Sequence, residues 1–321
     1  MICFGTLIII TSRLDTLGLP EGYARTRVGQ DSIGSKALGV SWPSYEICHV
    51  AAPGEELFEV RWDANSRPQL SEQQSHWIRE HCEQRRQSGQ KVENHRLYRV
   101  ESMGPKEGRL CLRAGVMDYE EYLGMSALGV RQGLSLVISV ATRLPDGWVL
   151  EQRSARVAEG RGLWHVKPSG HVHPPESPWQ GALREAREEL GLEPYELSAA
   201  TWLGVIRSRA AQCLAVIYAM ESPVSLDAVR ARQPEDSWES DRLFPLPEQD
   251  RDLGHWLLQA RERMTGIGHG TLLLAAARTQ GSAWLKSTAQ TQGVPENLGP
   301  EHFFGRPGPR ASVEPPGPEQ R

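Results

Sequence analysis

Hydrophobic and polar positions alternate most clearly in the middle of the chain. In LSLVISVAT, Leu134, Leu136, Ile138 and Val140 fall on one face, which predicts a strand. The turn LPDG leads back into WVLEQRS, which predicts a hairpin. Further strands are predicted for LWHVKPSG, TWLGVIRS and QCLAVIYAM, and helices for GHWLLQARERM and HGTLLLAAART. We therefore expect a domain of mixed strands and helices over residues 131–284.

A smaller set of elements precedes this domain. ICHVAAPGEELFEVRW predicts two strands around a Pro-Gly turn, and LSEQQSHWIREHCEQRRQSG predicts a polar helix closed by glycine. HRLYRVESM and GRLCLRAGV predict two more strands, and DYEEYLGM predicts a short helix. Residues 45–130 are thus predicted to form a small α+β domain. We expect residues 1–44 to be a partly disordered leader and residues 285–321 to be a disordered tail.

Composition and charge narrow the class of protein. The 321 residues carry a net charge of −4, which argues against a non-specific nucleic-acid binder. The five cysteines form no CxxC pair, so we expect a reducing compartment and no disulfide framework. The apolar start, Met1–Thr11, lacks a basic region and is too short to span a bilayer. A cytoplasmic protein without a membrane partner is expected, and its oligomeric state stays open.

One segment, GHVHPPESPWQGALREAREELGL, combines strong helix signals with many acids. Ser177 and Gln180 form a capping box, Pro178 takes the first helical position, and Gly191 follows the helix end. The apolar residues share one narrow stripe, which we expect to be the buried face: Trp179, Leu183, Ala186 and Leu190.

The acids of this helix predict a metal site. Glu185, Glu188 and Glu189 lie on roughly the opposite side, near the C-terminus, where the helix dipole disfavours negative charge. Three carboxylates without an equal number of basic neighbours suit a hard cation such as Mg²⁺ or Mn²⁺. Gly181 would leave room for a ligand, and Arg184 would hold a carboxylate in its ionised form. On composition alone, a solvated acidic surface is the alternative.

The wider spacing identifies a family. The segment fits the pattern G-x5-E-x7-R-E-U-x-E-E-x-G-U through Gly170, Glu176, Arg184, Glu185, Glu188, Glu189, Gly191 and Leu192. This is the motif of the Nudix hydrolases, and the preceding WHVKPSGH is similar to that family's W-x-x-P-G-G entry. The chain therefore resembles the Nudix hydrolase superfamily. It departs from the pattern at Ala186, where a larger aliphatic residue is usual, and at Ser169, which replaces the first glycine of the pair.

The resemblance implies a fold and a set of site residues. The fold would be α/β, the Nudix α/β/α sandwich with a mixed sheet, here preceded by the small α+β domain. The metal would be Mg²⁺, with Mn²⁺ as an alternative, held by the Gly170 carbonyl, Glu185, Glu188 and Glu189. One of these glutamates would assist the attacking water. The catalytic residues would be Glu185 together with Arg184 and Glu176, which support the carboxylates.

The sequence also offers candidate metal ligands outside the fixed positions of the motif. Glu239, or alternatively Asp236, is a candidate additional metal ligand from a later loop. His171 and His173 flank the predicted metal loop, but we do not expect them to be ligands, because hard cations prefer oxygen. No residue is assigned to substrate binding.

The superfamily hydrolyses nucleoside diphosphates linked to a variable group. NHRLYRVES, GRLCLRAGVMDYEEYLGM and ALGVRQGLSLVIS resemble the N-terminal region of vertebrate Nudix UDP-sugar hydrolases, which cleave UDP-glucose and UDP-galactose to UMP and sugar 1-phosphate. A UDP-sugar is therefore the expected substrate. Other nucleotides (ADP-ribose, a dinucleotide or a nucleoside triphosphate) remain alternatives. So do a non-catalytic nucleotide-binding Nudix protein and an enzyme of nucleic-acid processing, although the acidic charge argues against the last.

Overall fold

The computed structural model describes residues 45–51, 59–106, 109–198, 200–208, 210–232, 234–246 and 253–291. The predicted leader, residues 1–44, lies outside them. The described strands are β1 (Tyr45–Val50), β2 (Glu59–Trp62), β3 (Arg96–Lys106), β4 (Arg109–Asp118), β5 (Leu134–Leu144), β6 (Gly147–Arg153), β7 (Trp164–Val166), β8 (Ser169–His171), β9 (Thr201–Ser208), β10 (Cys213–Glu221) and β11 (Ser240–Leu246). The described α-helices are α1 (Glu72–Gln87), α2 (Tyr119–Leu128), α3 (Pro178–Leu190), α4 (Leu226–Ala231), α5 (Leu253–Ala260), α6 (Gly266–Gln280) and α7 (Ser282–Thr291).

The described strands form one mixed sheet. Its main path runs β1-β9-β10-β5-β3-β4-β2, while β6 joins β5, β7 and β11, and β8 pairs with β5. The β10–β5 and β2–β4 pairs are parallel, and the others are antiparallel. The two strands predicted around the Pro-Gly turn both exist, but they do not pair with each other. They lie at opposite ends of the path, and the turn lies outside the described residues.

The regions before and after residue 130 share this sheet. Strand β3 pairs with β5 at Arg99–Ser135 and Val100–Leu134. The edge formed by β2, β3 and β4 therefore continues the sheet that β5 and β10 build. The predicted division at residue 130 stays a prediction about domain organisation.

Strand β5 shows how the layers are arranged. Leu136, Ile138 and Val140 pack in one core with Ala182 of α3, as the predicted alternation requires. The intervening positions face the other side, where the Ser139 hydroxyl lies 2.9 Å from the Thr271 hydroxyl of α6. Because α3 and α6 cover opposite faces of a mixed sheet, the predicted α/β sandwich is confirmed.

Helices α1 and α2 build a smaller core on β3 and β4. They cross at Gly124, where a Cβ would lie 2.3 Å from Ile78 Cγ1, so the close contact requires glycine. Leu97 of β3 and Met117 of β4 lie beneath the two helices. The predicted strands and helices of this region are therefore present, and they bury a core of their own.

The C-terminal segment differs from prediction. Helix α7 extends to Thr291, so the start of the segment predicted as a disordered tail is helical. Leu285 is buried against α6, which explains why the helix is formed. Residues 292–321 lie outside the described residues. Among the described helices, none has the length and apolarity needed to cross a membrane.

Candidate active site

Helix α3 carries the acidic motif, and its ends form as predicted. The Gln180 N–H donates to Ser177 Oγ at 3.2 Å, and the Ser177 N–H donates to Gln180 Oε1 at 2.7 Å. Pro178 occupies the first turn, where its missing N–H costs nothing. Gly191 ends the helix with φ of 63°, a left-handed conformation that favours glycine.

Two of the three acids of α3 are buried and the third, Glu188, is partly buried, which excludes the solvated acidic surface that composition alone left as an alternative. Glu185 is 7% exposed and Glu189 is 3% exposed, whereas Arg187 is an exposed position of the helix. The predicted apolar stripe is buried at Ala186 and Leu190, on the other side of the helix. The helix therefore packs with both its apolar and its acidic sides. Its acids pair with Arg184 of the helix itself and with Lys167 from an earlier part of the chain.

Arg184 organises one group of acids, which we call the arginine cluster: Arg184, Glu176, Glu185 and Glu188. Arg184 Nη1 donates to Glu185 Oε1 at 2.8 Å and to Glu188 Oε2 at 2.7 Å. Its Nη2 donates to Glu176 Oε1 at 2.8 Å and to the His171 carbonyl at 2.8 Å. The guanidinium thus ties α3 to the loop before it. The catalytic role that the resemblance implies for Arg184 and Glu176 stays a prediction.

Lys167 organises a second group, the lysine cluster: Lys167, Arg153, Glu151, Glu189 and Glu239. Lys167 Nζ forms an ion pair with Glu189 and lies 3.3 Å from Glu151 Oε2 and 3.5 Å from Glu239 Oε2. Arg153 Nη1 lies 3.1 Å from Glu151 Oε1. Lys167 and Glu189 side chains are each 1% exposed, and that of Glu151 is fully buried. These are charged groups that a protein buries only in pairs.

The sequence interpretation missed Lys167 and Glu151. A signal for Glu151 was available, because it follows the apolar run Val149–Leu150 in the predicted strand WVLEQRS. Lys167 similarly follows Val166 in a predicted strand. A charged residue in such a run needs a buried partner, but the sequence alone does not say which one.

Glycines let these groups approach closely. A Cβ on Gly170 would lie 2.0 Å from Glu185 Oε1, so a side chain there would displace that carboxylate. A Cβ on Gly181 would lie 3.2 Å from Glu176 Oε1. The room that Gly181 leaves is therefore taken by Glu176, not by a ligand as the sequence suggested.

Glu239 and Asp236 occupy different positions. Glu239 joins the lysine cluster, as described above. The Asp236 carboxylate instead accepts a hydrogen bond from Trp238 Nε1 at 2.7 Å and lies 3.6 Å from Lys91 Nζ. Of the two candidate ligands, the structure brings Glu239 to the buried acids.

Burial perturbs the ionisation of both clusters. It raises the pKa of Glu185 from 4.5 to about 7; Arg184 opposes this shift, and Glu188 and Glu239 add to it. Burial favours the neutral form of Lys167, but the carboxylates around it raise its pKa above the ordinary value. Burial also raises the pKa of Glu189. We assign Lys167 and Glu189 as a charged pair, because Lys167 has two further carboxylates within reach and Glu189 Oε2 accepts the Ser169 N–H at 2.9 Å.

Residues 135–252 match the family model of the NUDIX domain. The chain contains a NUDIX domain. The predicted enzyme class, a Nudix pyrophosphohydrolase, is confirmed by this match. Enzymes of this class generally use divalent metal ions. No curated protein matches the chain in sequence.

Several solved structures are similar to part of the chain. A Deinococcus radiodurans protein is 24% identical, with 28% of this chain and 57% of that chain covered and a TM-score of 0.25. The NUDIX domain of Shewanella oneidensis NrtR, complexed with ADP ribose, is 18% identical over 47% of this chain and 92% of that one, with a TM-score of 0.32. A bifunctional NMN adenylyltransferase/ADP ribose pyrophosphatase from Francisella tularensis, complexed with AMP and a Mn ion, is 15% identical. The similarity covers 50% of this chain and 46% of that chain, with a TM-score of 0.33. These similarities are too distant to carry an argument about substrate.

The residues of the NUDIX domain fit a divalent cation in their chemistry, although they are not arranged as a ready-made site. Over the described ranges, no three His, Cys, Asp or Glu side chains converge as metal ligands. Arg184 and Lys167 hold the acids instead. Together the two clusters contain six carboxylates and three cationic side chains, which leaves three negative charges in excess. Carboxylate oxygens in excess of their counter-charges are the ligands that Mg²⁺ and Mn²⁺ prefer.

Aromatic side chains from the N-terminal region border this site. Tyr119 and Tyr122 of α2 meet the His171 ring edge-on, with ring centroids 5.4 and 5.2 Å away. His95 lies with its centroid 4.4 Å from that of His173. Burial, the largest cause, lowers the pKa of His171 to about 3 and that of His173 to about 4, so both rings are neutral. The loop between β8 and α3 is thus packed against residues 95–122.

Proposed function

We propose that the protein hydrolyses the pyrophosphate bond of a UDP-sugar to UMP and sugar 1-phosphate, using a divalent cation, Mg²⁺ or Mn²⁺. The observation that carries the proposal is the excess of buried carboxylates around Gly170 and α3 within a NUDIX domain. A pyrophosphate brings negative charge to a site that is itself negative. A cation between them is therefore required on electrostatic grounds.

The chain's own residues supply most of the proposed chemistry. Glu185 and Glu188, with the Gly170 carbonyl, would hold the cation; the predicted set also includes Glu189, which Lys167 engages. When bound, the cation would neutralise charge on the phosphate oxygens. Arg184 keeps Glu185 and Glu188 side by side through its Nη1 contacts at 2.8 and 2.7 Å.

Glu185 is the candidate for the proton transfer. Arg184 contacts Glu185 through Oε1, so Oε2 is the oxygen that would take a proton from the attacking water. The water oxygen forms the new bond to phosphorus, the bridging P–O bond breaks, and the released phosphate oxygen leaves with the sugar. Glu176 holds Arg184 in place, and its own Oε1 accepts the His173 N–H at 2.7 Å.

The choice of a UDP-sugar rests on the N-terminal region. The strings that resemble the UDP-sugar hydrolases lie in β3, β4, α2 and the first part of β5. Of these elements, α2 contacts the end of β8, just before the loop that leads to α3, through Tyr119, Tyr122 and His171. A segment that borders the acids is well placed to select the group attached to the diphosphate. The acidic motif alone does not distinguish a UDP-sugar from other nucleotide substrates. This contact supports the UDP-sugar.

Product analysis tests the proposal. Purified protein with Mg²⁺ would be incubated in parallel with UDP-glucose, UDP-galactose and ADP-ribose, each with an EDTA control. Release of UMP and sugar 1-phosphate, abolished by EDTA, is expected. Cleavage of ADP-ribose alone would overturn the substrate while retaining the reaction. Binding of UDP-glucose without cleavage, seen by calorimetry, would favour a nucleotide-binding role.

A further inference from the structure

Lys167 is the most deeply buried cation beside the proposed site, and the proposed reaction gives it no task. Lys167 directly follows β7 in the chain, and its ammonium group is surrounded by the carboxylates of Glu151, Glu189 and Glu239. An ammonium has three N–H donors, so one lysine can satisfy three carboxylates at once. Burying this group without such partners would be costly, which makes the arrangement specific.

The motif glutamates Glu189 and Glu188 differ in their access to solvent. Glu189 is closed off, because Lys167 engages Oε1 and the Ser169 N–H donates to Oε2 at 2.9 Å. Glu188 of the arginine cluster is more open, with a side chain that is 23% exposed beside an Arg184 side chain that is 20% exposed. In the lysine cluster Glu239 is similarly open, with a side chain that is 25% exposed, but it is not a glutamate of the motif. With three carboxylates and one cation, the arginine cluster carries two of the three excess negative charges. A divalent cation arriving from solvent therefore meets Glu188 before it meets Glu189, whose side chain is 1% exposed.

We propose that the Lys167 ammonium is a built-in cation of the acidic site, holding Glu189 in the lysine cluster so that Glu185 and Glu188 take the divalent cation. This inference rests on the proposed function, since it assumes that the site binds such a cation. It assigns different tasks to glutamates that the motif treats alike. Lys167 is a positioning residue in this scheme, and Glu189 is its counter-charge.

Mn²⁺ binding to the full-length protein, measured by the loss of the free-ion electron paramagnetic resonance signal, tests the inference without relying on turnover. Glu185→Gln should weaken Mn²⁺ binding by about tenfold or more, because it removes a charged ligand. Glu189→Gln should change the dissociation constant by less than about threefold, since that carboxylate is committed to Lys167. Equal losses in the two variants would overturn the inference and leave the proposed function standing.

Removing the charge of Lys167 should have the opposite effect on Mn²⁺ binding. Lys167→Met should tighten Mn²⁺ binding by about tenfold or add a second bound ion, because three carboxylates lose their resident cation. Lys91→Met is the matched control: Lys91 pairs with Glu93 and Asp236 outside both clusters, so binding should not change. Weaker or unchanged binding by a folded Lys167→Met variant would contradict the proposal. Should that variant fail to fold, the Glu189→Gln comparison decides the question.

The same titrations separate failure of the inference from failure of the proposed function. If the wild-type protein binds no Mn²⁺, or if Glu185→Gln binds it as well as the wild type, the proposed cation site is wrong. The inference about Lys167 and the proposed function are then both contradicted. If Glu185→Gln loses binding and Glu189→Gln also loses it, only the assigned task of Lys167 is wrong.

Discussion

Replacing Glu185 by glutamine should stabilise the metal-free protein at pH 8. Burial raises the pKa of Glu185 from 4.5 to about 7, so the folded protein holds this proton more tightly than the unfolded chain does. A group whose pKa rises on folding favours the folded state below its unfolded pKa, and this contribution is lost as the pH rises through the folded pKa. Glutamine resembles the protonated form at every pH and avoids that loss.

The size of the effect follows from the shift. One pKa unit corresponds to about 1.4 kcal/mol, so ionisation of Glu185 in the folded state costs about 3 kcal/mol at most. Most of this cost, about 2 kcal/mol, develops between pH 5 and pH 8. Stability of the metal-free wild type should therefore fall over that interval relative to Glu185→Gln. The Glu185 side chain is 10% exposed, so solvent screens the charge only slightly.

Urea denaturation in EDTA at pH 5 and pH 8 measures this difference. The free energies of unfolding of wild type and Glu185→Gln should be within about 1 kcal/mol at pH 5 and should diverge by a further 2 kcal/mol or so at pH 8. Glu235→Gln, at an exposed position, is the control and should track the wild type at both pH values. Excess Mn²⁺ should make the wild type more stable than Glu185→Gln at pH 8, because the ion stabilises only a protein that binds it. A Glu185→Gln variant that is less stable than wild type in EDTA at pH 8 would refute the reasoning.

Three further predictions concern the same residues. Gly170→Ala places a Cβ 2.0 Å from Glu185 Oε1, so we expect turnover of UDP-glucose to fall about 100-fold in steady-state assays; wild-type turnover would show that the carboxylate position is unimportant. Arg184→Lys cannot reproduce the fork that contacts Glu176, Glu185 and Glu188, so turnover should fall at least about tenfold, whereas an unchanged rate would argue against that role. Dialysis against EDTA should abolish hydrolysis, and Mg²⁺ or Mn²⁺ should restore it; activity that survives chelation would contradict the proposed reaction.

The features that sequence patterns predicted well are local ones. The ends of α3 depend on Ser177, Gln180 and Gly191, all within the helix or next to it, and the structure confirms each. The alternation along β5 likewise depends only on the order of its residues, and it predicted one buried face correctly. Both patterns are set by backbone geometry that repeats along the chain.

The buried position of the acids could not be predicted from the helix alone. A helical projection separates apolar from acidic residues, and it assigns the acidic side to solvent unless a counter-charge is known. Here the counter-charge for Glu189 is Lys167, which lies 22 positions earlier in the chain. The packing of α3 against β8 brings them together, and such packing is a tertiary property that the helix sequence does not specify.

Ser169 shows how a departure from the family pattern is accommodated. Its Oγ lies 2.7 Å from His165 Nε2. Its backbone N–H still donates to Glu189 Oε2, a bond that glycine could make equally well. His165 in turn contacts Thr265, the residue that caps the start of α6. The backbone of Ser169 therefore keeps the contact to Glu189 that any residue could make. Its side chain adds a link, through His165 and Thr265, from the acidic site to α6 on the opposite face of the sheet.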